Sequence, residues 1–275
     1  MATLNKISLA GDLGSGKSTV SKILIDRLGA TYYCTGAIVR SIADEMGMTV
    51  VELNKYMETH PEIDTRIDDG IRALSSDPRT LVIDSRMAWH FTEGTFKVYL
   101  STDIETSALR IMSANRPGEH AASLEDTVRD TRARRASEQT RYSERYGVDI
   151  KDLTNYSLVV DTTYATPERI AEVILEGFAL WQRDAAYTAA FISAERLKMP
   201  DDEADMARVA ELSAVLDCGG EIPTPRVFET EGDFFVDSGA ESVLAYSLSD
   251  YDFIPVKLCR GKADGRCFVE TKNSL

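Results

Sequence analysis

Nine residues near the start of the chain, Gly11-Asp12-Leu13-Gly14-Ser15-Gly16-Lys17-Ser18-Thr19, restrict its fold more than any other segment. The apolar run Ile7-Ser8-Leu9-Ala10 precedes them, and Val20, Ile23, Leu24 and Leu28 follow at helical spacing. This is the pattern G-x-x-x-x-G-K-[ST] in the strand–loop–helix setting it requires. Glycines at 11, 14 and 16 permit a tight turn, so the backbone N–H groups from Ser15 to Thr19 converge on one concavity at a helix N-terminus. Lys17 is placed to reach the β- and γ-phosphates of a nucleoside triphosphate, and the Ser18 hydroxyl to ligate Mg2+.

Composition limits what surrounds this loop. The chain has 275 residues, 43% of them hydrophobic, enough for one large domain or two smaller ones. No apolar run reaches the roughly eighteen residues of a membrane span. The chain starts on a strand without a charged-then-apolar leader, and the expectation is a cytoplasmic protein. Cys34, Cys218, Cys259 and Cys267 show neither metal-ligand spacing nor a disulfide framework. A net charge of −14 disfavours binding to nucleic acid or to an anionic membrane. Against that background Arg129, Arg132, Arg134, Arg135, Arg141 and Arg145 form a conspicuous cluster suited to a phosphate-rich ligand.

The first two-thirds of the chain alternate strand and helix. Apolar runs at Leu4–Ala10, Leu81–Asp84, Phe96–Leu100 and Tyr156–Asp161 read as strands, with a short further strand at Tyr32–Tyr33. Helical patterns cover Ser18–Leu28, Gly36–Glu45, Ile104–Met112, Leu124–Tyr146 and Pro167–Trp181. Thr49-Val50-Val51-Glu52 reads as a capping box. The alternation predicts a parallel sheet covered on both faces, with ligands at the carboxyl ends of its strands. From about residue 188 one or two helices and then short strands are expected, with helix continuing across Asp184–Ala189. Two domains follow from this reading: residues 1–186, α/β, and residues 187–275, a small α+β domain.

Three further groups bear on the chemistry. Thr35 is read as the cap of a helix opening at Gly36, with Arg40 one turn in, an arrangement able to clamp a second anion. Asp84 ends an apolar strand, where a carboxylate positions Mg2+ or its waters, and Arg86 follows it toward the same crevice. On the arginine-rich helix Arg134, Glu138, Arg141 and Arg145 fall within an arc of about 60°, while Arg129, Arg132 and Arg135 point elsewhere. Each group also fits a plain structural role: a helix cap, a strand end, a solvated helix face. Together they indicate phosphoryl transfer between two bound phosphate-bearing molecules, with small-molecule nucleotides as partners. His60, His90 and His120 form no competing catalytic pattern.

With Gly11–Thr19 go Thr35-Gly36 and Arg40, then Glu62-Ile63-Asp64 with Ile67-Asp68, and Ile83-Asp84-Ser85-Arg86-Met87-Ala88-Trp89. The string Arg134-x-x-Ser137-Glu138-x-x-Arg141-Tyr142-x-x-Arg145-Tyr146-Gly147-Val148-Asp149-Ile150 completes the set. On these motifs residues 1 to about 183 resemble the cytidylate kinase-like proteins of the nucleoside monophosphate kinase group. The resemblance implies a P-loop three-layer domain with a five-stranded parallel core, ATP as donor with Mg2+, and CMP or dCMP as acceptor. It implies that Arg40 and Arg86 hold the acceptor phosphate, that Arg134 and Arg141 are lid arginines, and that Arg110 lies near the donor nucleotide. Two positions depart from the family pattern: Asp12, usually small or apolar, and Ser107, often an arginine. Separately, Ile192–Leu197, Pro223–Val227 and Phe235–Tyr246 resemble a ParB/sulfiredoxin-like domain, with Ser242 where that family carries arginine.

Two other functions fit the residues. One is a kinase of a hydroxyl-bearing metabolite, with Asp84 as base. The other is a nucleotide-gated regulatory protein associated with DNA through residues 187–275.

Overall fold

The computed structural model describes residues 5–48, 50–57, 59–114, 123–201, 204–249, 251–261 and 267–271. In chain order the elements begin with β1 (Lys6–Gly11), α1 (Lys17–Leu28), β2 (Thr31–Cys34), α2 (Thr35–Glu45), α3 (Val50–Met57) and α4 (Pro61–Ala73). There follow β3 (Leu81–Asp84), α5 (Ala88–Phe91), β4 (Thr95–Ser101), α6 (Ile104–Ser113), α7 (Leu124–Tyr146), β5 (Leu158–Asp161) and α8 (Pro167–Arg183). The remainder is β6 (Ala189–Ile192), β7 (Leu197–Pro200), α9 (Met206–Asp217), β8 (Arg226–Thr230), β9 (Asp233–Ser238), α10 (Ala240–Leu248), β10 (Ile254–Leu258) and β11 (Phe268–Glu270). Thr49 and His120 lie outside the described residues. Among the described residues no helix is long and apolar enough to cross a membrane.

The chain forms two compact units. The first takes its described residues from 1–11, 16–99 and 167–187. Its strand order is β4-β1-β3-β2. β3 is parallel to both neighbours, with Leu9 and Cys34 each in register with Asp84. All six residues of β1 are buried, as a strand covered on both faces requires. α1 packs with α8, whose Phe178 and Trp181 meet Phe96 of β4 at ring-centroid distances of 5.8 and 5.7 Å. A second cluster joins Ile42 of α2, Leu53 and Met57 of α3, and Ile67 and Ile71 of α4 to Ile83 of β3. That cluster anchors three helices against the strand that ends at Asp84.

The second unit comprises residues 12–15, 100–166 and 188–275, described in part. Its strand order is β11-β7-β9-β8-β10-β6-β5. β6 runs parallel to β5 and antiparallel to β10. Arg196 and Asp161 form an ion pair of 2.9 Å, with side chains 5% and 0% exposed. Both charges are therefore matched inside the unit, as burial demands.

The α/β class read from the sequence is the one observed, with extra strands toward the C-terminus. Three local expectations are corrected. α8 ends at Arg183, so helix does not continue across 184–189. Asp184 N–H still reaches back to Leu180 O, but the Asp184 carboxylate then accepts from Ala186 N–H, forming a turn instead. Residues from 189 open with a strand, not a helix, because β5 and β10 offer ladders on both sides. Thr35 does not cap a helix beginning at Gly36: it is itself the first residue of α2, and its hydroxyl donates to Asp84 O at 3.4 Å.

Truncating Phe178 to alanine is expected to destabilise the protein by about 3–5 kcal/mol, through lost burial and a cavity beside Phe96 and Trp181. Chemical denaturation of Phe178→Ala measures it; a loss below 1 kcal/mol is incompatible with this packing.

Candidate nucleotide-binding site

The loop has the backbone its sequence demands. Gly16 caps α1 in the left-handed region at φ +80°, where a side chain is strained. Gly14 is bound by close approach: a Cβ there would stand 2.6 Å from Ser107 O and 2.9 Å from Ser107 Oγ. Ser15 Oγ donates to Asp12 O at 2.8 Å and closes the turn from within. Ser107 in turn donates from Oγ to Leu13 O at 2.5 Å. The small serine at 107 thus leaves room for Gly14 and ties down the loop beside it.

In the first unit two cations share one acceptor. Lys17 Nζ donates to Gly11 O at 2.9 Å, and Arg86 Nη1 donates to the same carbonyl. Arg86 is held by its strand-end position and by Trp89 Nε1, which donates to Arg86 O at 3.0 Å. Two cations against a neutral carbonyl make a strongly electropositive spot. A second group collects around Asp84. Tyr32 Oη donates to Asp84 Oδ2 at 3.0 Å, and burial, with the neighbouring Asp84 and Cys34, pushes the Tyr32 phenol above its ordinary value. Thr35 reaches Asp84 O, and the Arg40 guanidinium lies back over Gly36, 3.5 Å from where a Cβ would stand. Ser18 and Thr19 are exposed in the first turn of α1. The oxygen donors of Ser18 and Asp84 suit Mg2+, which takes one or two protein oxygens and completes its shell with phosphates and water. Consistent with so sparse a set, no group of three or more His, Cys, Asp or Glu side chains able to hold a metal occurs among the described residues.

In the second unit Asp12 is the centre. Its side chain is 2% exposed, pairs with Lys151 Nζ at 2.6 Å and Arg135 Nε at 3.8 Å, and accepts from Thr102 N–H at 3.1 Å. Burial alone would raise this carboxyl. The charges of Lys151 and Arg135, with the hydrogen bonds from Lys151 and Thr102, outweigh burial and hold it well below the usual carboxylate range. Arg110 is fixed by Thr162 O at 2.7 Å, Thr163 O at 3.2 Å and Gly14 O at 3.5 Å, and burial lowers its pKa.

Helix α7 spans Leu124–Tyr146 as its sequence suggests, capped by Ser123, whose hydroxyl accepts from Asp126 N–H. Arg134 pairs with Glu138 at 3.3 Å and is 54% exposed, and Arg141 lies against Tyr142. Arg135, 17% exposed, reaches Asp12 of the loop, with its Nε and Nη2 buried and without a hydrogen-bond partner among the described residues. The signal was present: Thr127 and Thr131 are buried, and Arg135 is the next residue at the same four-residue step. Tyr32 and Lys151 are contacts of this region that sequence reasoning did not single out, and Arg135 was singled out only as a member of the arginine cluster.

Residues 6–164 match the sequence profile of the family described as cytidylate kinase-like, well over half of the chain. The chain belongs to the cytidylate kinase-like family. It is 35% identical over 190 residues to a cytidylate kinase of Thermoplasma volcanium, covering 66% of this chain and 96% of that protein. A cytidylate kinase of Haloarcula marismortui is 36% identical over 181 residues, covering 65% and 91%. An S-adenosylmethionine-dependent nucleotide dehydratase of Lacinutrix mariniflava is 34% identical over 174 residues, covering 63% of this chain but 36% of that protein. The chain is thus an enzyme of the nucleoside monophosphate kinase type, and the family match stops short of β6.

The Asp12 pairing has a pH signature. Its folded-state pKa is depressed, so the stability it contributes is present above the unfolded carboxylate value of about 3.9 and is lost as pH falls below it. Asp12→Asn should cost about 3 kcal/mol at pH 7, with the gap to wild type narrowing below about pH 4. Urea unfolding from pH 7 to 3 checks this; a pH-independent gap would contradict it.

Proposed function

We propose that this protein transfers the γ-phosphoryl group of ATP, with Mg2+, to a pyrimidine nucleoside monophosphate, CMP or dCMP, releasing the nucleoside diphosphate and ADP. The observation that carries the reading is the convergence of Lys17 and Arg86 on Gly11 O, at the mouth of a phosphate loop in a chain of this family. Gly11, Gly14, Ser15, Gly16, Lys17, Ser18 and Thr19 hold the donor phosphates, with Arg110 beside the donor nucleotide. Thr35, Gly36, Arg40 and Arg86 hold the acceptor. Mg2+, ligated by Ser18 and positioned by Asp84, neutralises charge on the β- and γ-phosphates when bound.

An oxygen of the acceptor phosphate attacks the γ-phosphorus as the bond to the ADP oxygen breaks. The attacking oxygen is already ionised near neutral pH, so no general base is needed. Asp84 accepts from the Tyr32 hydroxyl, an arrangement that suits metal positioning better than proton abstraction. Catalysis then consists of alignment and charge neutralisation, the second supplied by Lys17, Arg86, Arg134 and Arg141. The family relationship to cytidylate kinases of archaea supports the choice of acceptor, and the ATP-plus-pyrimidine assignment follows from that relationship, not from a contact.

Lys17→Ala should lower kcat/KM by about 100-fold or more while thermal unfolding stays unchanged, since it deletes a charge aimed at the transferring group. Arg40→Ala should chiefly raise the acceptor KM. The decisive measurement is diphosphate formation across CMP, dCMP, UMP and AMP, with sugars and amino acids as further acceptors. Turnover of a hydroxyl acceptor in place of every monophosphate would replace this reading with the metabolite kinase.

A further inference from the structure

β8 and β9 form a hairpin whose two-residue turn is Glu231-Gly232, with Thr230 and Asp233 as the closing pair. Both turn residues have positive φ, 56° and 97°, the conformation that gives the tightest and most rigid hairpin. Glu229 Oε1 accepts from Gly232 N–H at 2.6 Å and locks the tip. This hairpin lies beyond residue 164, outside the segment that matches the family.

The tip meets residues 12–15 of the phosphate loop by two arms inside the second unit, the first through van der Waals proximity and the second through hydrogen bonds. In the first, Arg135 Nη1 lies 3.9 Å from where a Cβ on Gly232 would stand, and Arg135 Nε is paired with Asp12. The Glu229 carboxylate is felt electrostatically by Lys151 and Asp12 of the same cluster. In the second, Arg196 Nη2 donates to Gly232 O at 2.6 Å while its Nη1 donates to Asp161 Oδ1 at 2.9 Å and Thr163 Oγ1 at 2.8 Å. Arg110 then links Thr163 O to Gly14 O. Arg196 is 7% exposed, so this arm is shielded from water and is correspondingly stiff. Both arms end on residues 12–15, which run directly into Gly16 and Lys17.

We propose that the Glu231-Gly232 tip is a positioning element for the donor phosphates: residues 188–275 hold the phosphate loop and Arg135 in their binding geometry through these two arms. Resting on the reading of residues 11–19 as the donor site, the inference gives the segment outside the family match a role in the reaction. Glu229 and Arg196 are positioning residues; neither touches a reacting atom. The role concerns the donor, because both arms end on residues 12–15 of the phosphate loop. Asp12, unusual in such a loop, is the residue through which the first arm works. A displacement of loop atoms by fractions of an ångström is enough to weaken several phosphate contacts at once.

The test uses the full chain and calorimetric titration with Mg-ATP, which does not depend on the identity of the acceptor. Glu229→Ala removes the acceptor of the Gly232 N–H and should weaken ATP binding about fivefold or more. Glu229→Gln keeps an oxygen at that place and should restore affinity to within about twofold. Arg196→Lys keeps a charge for Asp161 but loses the fork that joins Asp161 to Gly232 O, and should show the same donor-specific loss. The acceptor KM should stay within about twofold in all three, while Asp237→Asn, elsewhere on β9, should leave ATP affinity unchanged. ATP affinity within about twofold of wild type in both Glu229→Ala and Arg196→Lys overturns the inference. So does an equal weakening of donor and acceptor accompanied by a lower Tm, which marks a purely structural role. Wild-type protein that binds ATP but fails to phosphorylate CMP overturns the acceptor assignment alone; wild-type protein that binds no triphosphate overturns both.

Discussion

A carboxylate buried in a loop shaped to hold polyanions is stable only if cations accompany it, and around Asp12 they do. Lys151 and Arg135 supply the charge, Thr102 supplies a backbone N–H, and Asp12 N–H is spent on Leu100 O. The arrangement fixes more than one side chain. Lys151 follows α7 and Arg135 sits within it, so one carboxylate draws the helix and the segment after it onto residues 12–15. Replacing it by a small apolar residue would remove the buried anion that both cations face, a change costing on the order of a few kcal/mol. Asp12, Lys151 and Arg135 are consequently best regarded as a set.

The first unit solves the opposite electrostatic problem. Lys17 and Arg86 are held together over the Gly11 carbonyl, which carries a partial charge only. The chain as a whole carries −14, so it offers no diffuse attraction to anions. Binding of a polyanion then depends on short-range, preorganised donors, which favours a ligand that fits over one that is merely charged.

What could be read from the sequence divides along a physical line. The phosphate loop, the strand ending at Asp84 and the full extent of α7 were legible, because each is specified by local pattern: glycine spacing, an apolar run, a cap and a terminal glycine. The contact of Arg135 with the loop was not legible from a helical wheel, which ranks faces by charge, whereas the packed face of α7 carries the buried Thr127 and Thr131. Tyr32 gave no signal, since its partner Asp84 is brought beside it only by the pairing of β2 with β3. The same holds for β6, whose four residues are a strand through ladders to β5 and β10, far away in sequence. Non-local pairing decided Tyr32 and β6.

The hairpin tip at Glu231 adds a final step. A non-glycine residue in the left-handed region costs on the order of 1 kcal/mol, and it persists only where the surroundings over-determine it. Here they do: Glu229 holds the next N–H, Arg196 holds the next carbonyl, and the closing pair of β8 and β9 fixes both sides. A glycine or asparagine at 231 would relieve that strain at no loss of the turn. What the neighbouring contacts achieve is a tip with one geometry, and a tip with one geometry can transmit position through rigid arms in a way that a mobile loop cannot. Strain concentrated at the point where a C-terminal hairpin meets the arginines behind a phosphate loop is consistent with that point being the joint through which residues beyond the family segment act on the donor site.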